Sequence, residues 1–178
     1  MKNFLMMLAI WLTFIGNVEA AELYDVIHQE VSYFNRSERE SEWIARAILY
    51  ASSECQVDPI LITAVMEAES GFDFKSLSSV GAIGLMQLMP ETANAIGVNP
   101  YNPLENILGG TMYLRNQLER FAGWGKYAVT DAVAAYNAGA QAVINAGGVP
   151  NYSETRQYVV NVANNYQKLL EMMNGAER

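Results

Sequence analysis

Two dipeptides, Asp58-Pro59 and Asn102-Pro103, do most to restrict what this chain can become. In each, the first residue can accept hydrogen bonds from free amides as a helix N-cap. The proline takes the first helical position, where its missing N–H costs nothing. The first helix is expected to run to about Ser70, where Gly71 supplies a stop. The second carries Leu104, Ile107, Leu108, Met112, Leu114 and Leu118 at helical spacing and ends at Gly123-Trp124-Gly125.

The remaining segments read the same way. Leu23, Ile27, Val31 and Phe34 form one helix face, suited to wrapping the outside of a core. The polar stretch Asn35 to Glu40 predicts a solvated turn, after which Ser41 can cap a helix striped by Trp43, Ile44, Ala47, Ile48 and Ala51. An Ala-rich helix is expected from Tyr127 to about Asn137, stopping at Gly139. Ser153 can open a last one whose seam runs through Tyr158, Val159, Val162, Ala163, Tyr166, Leu169, Leu170 and Met173. Alternating or β-branched runs are few, so the expectation is a mainly α single domain. The least periodic part, Phe72 to Gly97, offers at most a very small β-hairpin near Ser79 to Ile83. As a loop it is the first place to look for function.

Composition excludes several classes. A formal charge of −8 provides no electrostatic footprint for nucleic acid. One Cys (Cys55) and one His (His28) build neither a zinc cage nor a disulfide framework. No metal or cofactor is expected, and chemistry falls to carboxylates and hydroxyls. Cys55 reads as a small buried apolar residue.

The N-terminus carries Lys2, an apolar run from Phe4 to Ile15, and Val18-Glu19-Ala20. This predicts a secretory signal over residues 1–20 cleaved near Ala20, and hence a periplasmic or secreted protein. Twelve apolar residues reach only about 18 Å as a helix, short of the roughly 30 Å hydrocarbon core. Residues 21–178 then form the functional domain, with an N-terminal helical extension over about 21–56.

One carboxylate is out of place. At 100° per residue, Glu69 lies within about 60° of Ile62, Val65 and Met66 and so extends an apolar stripe. Glu67, about 200° away and near Thr63, reads as the solvated surface carboxylate. Burial and the negative end of the helix dipole both push the Glu69 pKa upward, which is what a proton donor at neutral pH requires. Periodicity alone leaves open a second reading, a helix-end residue whose stem packs while its head reaches water.

The surrounding residues carry a resemblance. Glu69-Ser70-Gly71-Phe72, then Ser78, then Gly81-Ala82-Ile83-Gly84-Leu85-Met86-Gln87-Leu88-Met89-Pro90 and Thr92-Ala93 strongly resemble, in order and spacing, the signature of the soluble lytic transglycosylases. Asn106, Gly109-Gly110 and Tyr113-Leu114 look like that family's next helix. Ala134-Ala135-Tyr136-Asn137-Ala138-Gly139 resembles its tyrosine-asparagine motif, and Glu154-Thr155-Arg156 with Tyr158 its closing element. The similarity runs from about Val57 to Tyr166.

The resemblance implies a lysozyme-like fold and cleavage of peptidoglycan between N-acetylmuramic acid and N-acetylglucosamine. Glu69 matches the family's catalytic acid, which protonates the glycosidic oxygen and then takes a proton from the muramyl C6 hydroxyl as a 1,6-anhydro ring closes. Such chemistry needs no second carboxylate; Asp73 is the nearest in sequence and can simply bond loop amides. Substrate-binding roles are implied for Ser78, Gln87, Met89, Tyr136, Asn137 and Glu154. For Ser78 a turn-forming role stands beside contact with the acid or the sugar. Gln87 offers two donors and an acceptor to sugar groups. Met89 is either core or groove lining. Tyr136 is expected to aim its hydroxyl at the acid or a sugar. Asn137 stays open between groove and helix end, and Glu154 between substrate binding and helix-start stabilisation. Gly81, Gly84 and Gly139 are read as backbone-shape residues.

The implied partner is the peptidoglycan glycan strand, bound by a monomer, with a secretion or pilus apparatus as a further partner by analogy. Two other readings remain: a goose-type lysozyme that releases product by hydrolysis, and a non-catalytic peptidoglycan-binding component of an envelope-spanning apparatus.

Overall fold

The computed structural model describes residues 21–35 and 37–176, so the expected signal segment lies outside the described residues. Eight helices are described: α1 over 21–34, α2 (Glu38–Cys55), α3 (Pro59–Ser70), α4 (Pro90–Ile96), α5 (Pro103–Phe121), α6 (Ala128–Ala138), α7 (Ala140–Ala146) and α8 (Ser153–Ala176). A 3₁₀ turn, Gly125–Tyr127, precedes α6. No described helix is long and apolar enough to cross a membrane.

Both Asx-Pro starts form as expected. Asp58 accepts from the Ile60 amide at 2.8 Å, and Asn102 from Leu104 and Glu105 at 3.0 and 3.3 Å. The other carboxylate oxygen of Asp58 accepts from the Tyr166 hydroxyl at 2.7 Å, pinning the start of α3 to α8. The start of α2 differs from expectation. Ser37 is its N-cap, accepting from the Glu40 amide, while Ser41 sits buried inside the helix. The polar run therefore contributes its last residues to the first turn of α2, where Glu38 and Glu40 suit the helix dipole.

α3 is the hub. Every residue from Ile60 to Met66 is buried, enclosed by α8, α2 and the apolar face of α1. From Ile60 to Met66 the helix has no solvent face, and the next side chain, Glu67, is sheltered too, which overturns its surface reading. Its side chain is 9% exposed, and Thr63 beside it is fully buried. Lys168 on α8 reaches Glu67 at 3.0 Å and the buried Glu30 on α1 at 2.7 Å, and its ammonium also lies over the Phe34 ring. One cation thus clasps three helices.

Replacing Lys168 by Ala is expected to destabilise the fold by about 2 kcal/mol at pH 8, because two sheltered carboxylates lose their counterion. Burial already raises the Glu67 pKa. Since a raised carboxyl favours folding only while protonated, the loss should shrink as pH falls toward 5. Thermal melts at the two pH values check this, and a loss of equal size at both would contradict it.

The irregular segment is only partly a loop. Ile83 makes isolated antiparallel bridges to Leu77 and Leu88, so the expected hairpin is replaced by two single bridges. Pro90 then opens α4, a helix the aperiodic appearance of this stretch concealed. Beyond it, Phe121, Ala132, Ala134, Ala135 and Val143 make a second small core joining α5, α6 and the likewise unforeseen α7. Cys55 is half-buried rather than buried, at the end of α2. Desolvation, with help from Glu54, raises its thiol pKa and keeps it protonated.

Candidate active site

The last turn of α3 places Glu69 at the end of the hub helix, which Gly71 terminates in the left-handed region at φ 57°. Ser70 anchors the loop beyond: its hydroxyl donates to the Leu85 carbonyl at 2.7 Å, tying the helix end to a point fifteen residues on. That loop is held from the other side by Asn106 on α5. The buried amide accepts from the Met86 amide at 2.9 Å and donates to the carbonyls of Ile83 and Pro100 at 2.8 and 2.9 Å. A side chain at Gly84 would meet Asn106 at 2.8 Å, and one at Gly110 would collide with Met86. Both glycines are required by the close approach of loop and helix.

This scaffold encloses a cleft of about 530 Å³. Glu69, Ser78, Gln87, Met89, Tyr136, Asn137 and Glu154 all line it, joined by Ala68, Val80, Ala82, Gln157, Tyr158 and Asn161. Every residue singled out from the sequence faces one space, although their roles within it differ from expectation in several cases.

Burial raises the Glu69 carboxyl to about 7; the Glu154 charge pushes the same way, and the nearby Tyr158 hydroxyl pulls against both. The carboxyl is therefore partly protonated near neutral pH. Tyr158 is buried and its hydroxyl completes no well-formed hydrogen bond. Burial above all, and then the neighbouring Glu69 carboxylate, raise the phenol pKa, so the hydroxyl stays protonated as a donor for the ionised acid.

Tyr136 does not aim its hydroxyl at the acid. It donates to the Met86 carbonyl at 2.9 Å, and its ring packs against Tyr113 with centroids 5.2 Å apart. Its contribution to the cleft is a wall. Gln87, at φ 46°, donates to the carbonyls of Gly84 and Ser76 at 2.9 and 3.2 Å, which engages both its N–H groups and leaves the amide oxygen for a ligand. Ser78 accepts from the Ala82 amide at 2.9 Å, so it is a turn former that also faces the cleft. Asn137 accepts from the buried Thr155 hydroxyl at 2.8 Å, which orients its NH₂ for donation. Met89, half-buried at the N-cap of α4, faces the cleft too.

Sequence reasoning marked Glu154 and placed Tyr158 in the closing element but overlooked Gln157 and Asn161 beside them. Glu154, Gln157, Tyr158 and Asn161 are spaced by three and four along α8 and present a polar stripe to the cleft. That spacing is visible in the sequence, but the longer apolar seam of the same helix masks it. A second carboxylate therefore does enter the site, from a residue 85 positions beyond Glu69 rather than from Asp73. Among the described residues, no group of acidic, His and Cys side chains could hold a metal ion.

Comparison with known proteins supplies the remaining finding. The profile described as the transglycosylase SLT domain matches residues 46–159. A transglycosylase of Enterobacteria phage PRD1 is 43% identical over 90 residues, which is 50% of this chain and 32% of that protein. Membrane-bound lytic murein transglycosylase C of Glaesserella parasuis serovar 5 is 36% identical over 107 residues, 49% of this chain and 28% of the relative. The chain thus spans a third or less of the length of these relatives. Among solved structures, a lytic transglycosylase Slt of Pseudomonas aeruginosa, crystallised as an inactive mutant, aligns with a TM-score of 0.61 and 28% identity. It covers 72% of this chain and 24% of that one. The 70 kDa soluble lytic transglycosylase of Escherichia coli aligns with a TM-score of 0.63 and 25% identity, covering 82% and 30%.

Proposed function

Because the chain belongs to the transglycosylase SLT domain family, we propose that its cleft cleaves the glycan strand of peptidoglycan between N-acetylmuramic acid and N-acetylglucosamine. The product is a 1,6-anhydromuramyl end. The observation that carries this reading is the Glu69 carboxyl, held by burial near a pKa of 7 in a cleft of about 530 Å³ lined with amide, hydroxyl and carboxyl groups.

A carboxyl poised near neutrality can serve in both directions. Protonated, Glu69 donates to the glycosidic oxygen as the C1–O bond breaks. As carboxylate it then takes the proton of the C6 hydroxyl, whose oxygen attacks C1. The Tyr158 hydroxyl favours the ionised intermediate state, and burial favours return to the acid. The Asn137 NH₂ and the free oxygen of Gln87 suit acetamido and hydroxyl groups along the strand. The twenty N-terminal residues suit export to the cell envelope, where this substrate lies.

Digestion of purified sacculi followed by mass spectrometry tests the reaction: muropeptides one water lighter than hydrolytic products are expected. The presence of Glu154 in the cleft favours the hydrolase as second reading, with that carboxylate activating water, and full-mass reducing ends would establish it. Binding without cleavage would leave only the non-catalytic reading. Since the acid form is required for the first step, the rate should fall as pH rises above about 7, approaching a tenfold loss per pH unit. A rate profile from pH 5 to 9 measures this, and a rate still climbing at pH 9 would contradict it.

A further inference from the structure

Phe34, the last residue of α1, sits against the turn that ends α3 just beyond the acid. Its ring carbon Cδ1 lies 3.7 Å from where a Cβ on Gly71 would stand, and the ring packs edge-on against Phe72 with centroids 5.5 Å apart. Gly71 and Phe72 both hold left-handed backbone, at φ 57° and 64°. Glycine takes that conformation freely, whereas a phenylalanine there is strained because its Cβ crowds the backbone carbonyl. A strained residue persists only where its surroundings fix it. Phe72 is 1% exposed, and Phe34 is part of what covers it.

The same helix grips the other side of the acid. Glu67, two residues before Glu69, takes the Lys168 ammonium that also binds Glu30 of α1, and this ammonium lies 5.8 Å from the Phe34 ring centre. The Glu67 carbonyl in turn accepts from the Gly71 amide at 3.0 Å. α1 therefore holds residues on both sides of Glu69, and neither α1 nor Lys168 lies within residues 46–159, the stretch that the family profile matches. Phe34, Phe72 and Lys168 do not line the cleft, so they act on the reaction only through residues that do.

We propose that Phe34 is a positioning residue: by packing on Phe72 it fixes the left-handed turn after α3, and with it the depth at which the Glu69 carboxyl sits in the cleft wall. The inference rests on the reading of Glu69 as the acid. The groups that face this carboxyl are the Tyr158 hydroxyl and the Glu154 carboxylate from α8 and the Tyr136 phenol from α6. Loss of the Phe34 ring frees the turn to relax toward ordinary backbone, which lets water reach the carboxyl. Because desolvation is the main cause of its raised pKa, that pKa then falls back toward 4.5.

The test compares the full chain with Phe34→Ala, with Phe34→Tyr, which keeps the ring, and with Val26→Ala, which thins the buried face of α1 away from the turn. All are assayed below their melting temperatures. Phe34→Ala is expected to lower kcat on glycan strands about tenfold at pH 7 with KM unchanged, and to move the alkaline fall in rate about one pH unit lower. Phe34→Tyr should restore both, and Val26→Ala should lower the melting temperature without moving either. Carbon NMR titration of the Glu69 carboxyl reads the same change without turnover: its midpoint is expected about one pH unit lower in Phe34→Ala than in the unaltered chain. Equal effects of Phe34→Ala and Val26→Ala, or a midpoint that Phe34→Ala leaves unmoved, would overturn the proposal while leaving the cleavage reading intact. An unaltered chain that cuts no glycan would overturn the cleavage reading alone, since the titration still decides the positioning.

Discussion

Glu69→Gln is expected to lower the rate of glycan cleavage by about 10³-fold, within the range that a positioned general acid contributes. The amide keeps the shape and length of the side chain but can neither donate a proton to the leaving oxygen nor take one from the attacking hydroxyl. Binding of undigested strands should survive, so the loss falls on kcat. The same substitution should stabilise the fold in a pH-dependent way. The folded-state pKa of Glu69 is raised from 4.5 to about 7, so its ionisation opposes folding. That cost is absent below about pH 4.5, accumulates as pH rises through 7, and is removed in the glutamine variant. Thermal melts should therefore coincide near pH 4.5 and favour the variant by up to about 3 kcal/mol at pH 8. A variant as active as the unaltered chain would sink the assignment of the acid. A variant no more stable at pH 8 would show that the carboxyl is better solvated than its surroundings indicate.

Asn106→Ala should cost about 3 kcal/mol and lower the melting temperature by roughly 6 to 12 °C. Its side chain uses both donors and its acceptor on backbone groups of the loop that walls the cleft. Truncation leaves the Met86 N–H and the Ile83 and Pro100 carbonyls without partners, and two of these three bonds are buried. The effect should reach the chemistry too, because the Met86 carbonyl is what holds the Tyr136 hydroxyl. Activity is expected to fall even at temperatures where the variant remains folded. Hydrogen exchange at the Met86 amide would report the released loop directly. A melting temperature within about 2 °C of the unaltered chain would refute this account.

Much of the site was legible because its members sit in short, ordered motifs. Glu69, Ser78, Gln87, Met89, Tyr136, Asn137 and Glu154 were all marked from the chain and all line one cleft. Their individual hydrogen bonds were not legible. Tyr136 is expected to reach for the acid or a sugar and Gln87 for sugar, yet loop carbonyls take the phenol of one and the N–H groups of the other. Any polar side chain beside an irregular loop is drawn first to the backbone groups that the loop leaves unpaired.

Helix starts at Asp58-Pro59 and Asn102-Pro103, the stop at Gly71 and the mainly α character were determined by the chain itself. These signals act through groups within a turn or two of one another. The burial of Glu67 under Lys168 and the arrival of Glu154 and Tyr158 beside Glu69 were decided only when distant helices packed. A helical wheel tells which residues share a face. Which face meets water depends on how many neighbours the helix acquires, and α3 is enclosed on every side from Ile60 to Met66, opening to the cleft only in its last turn.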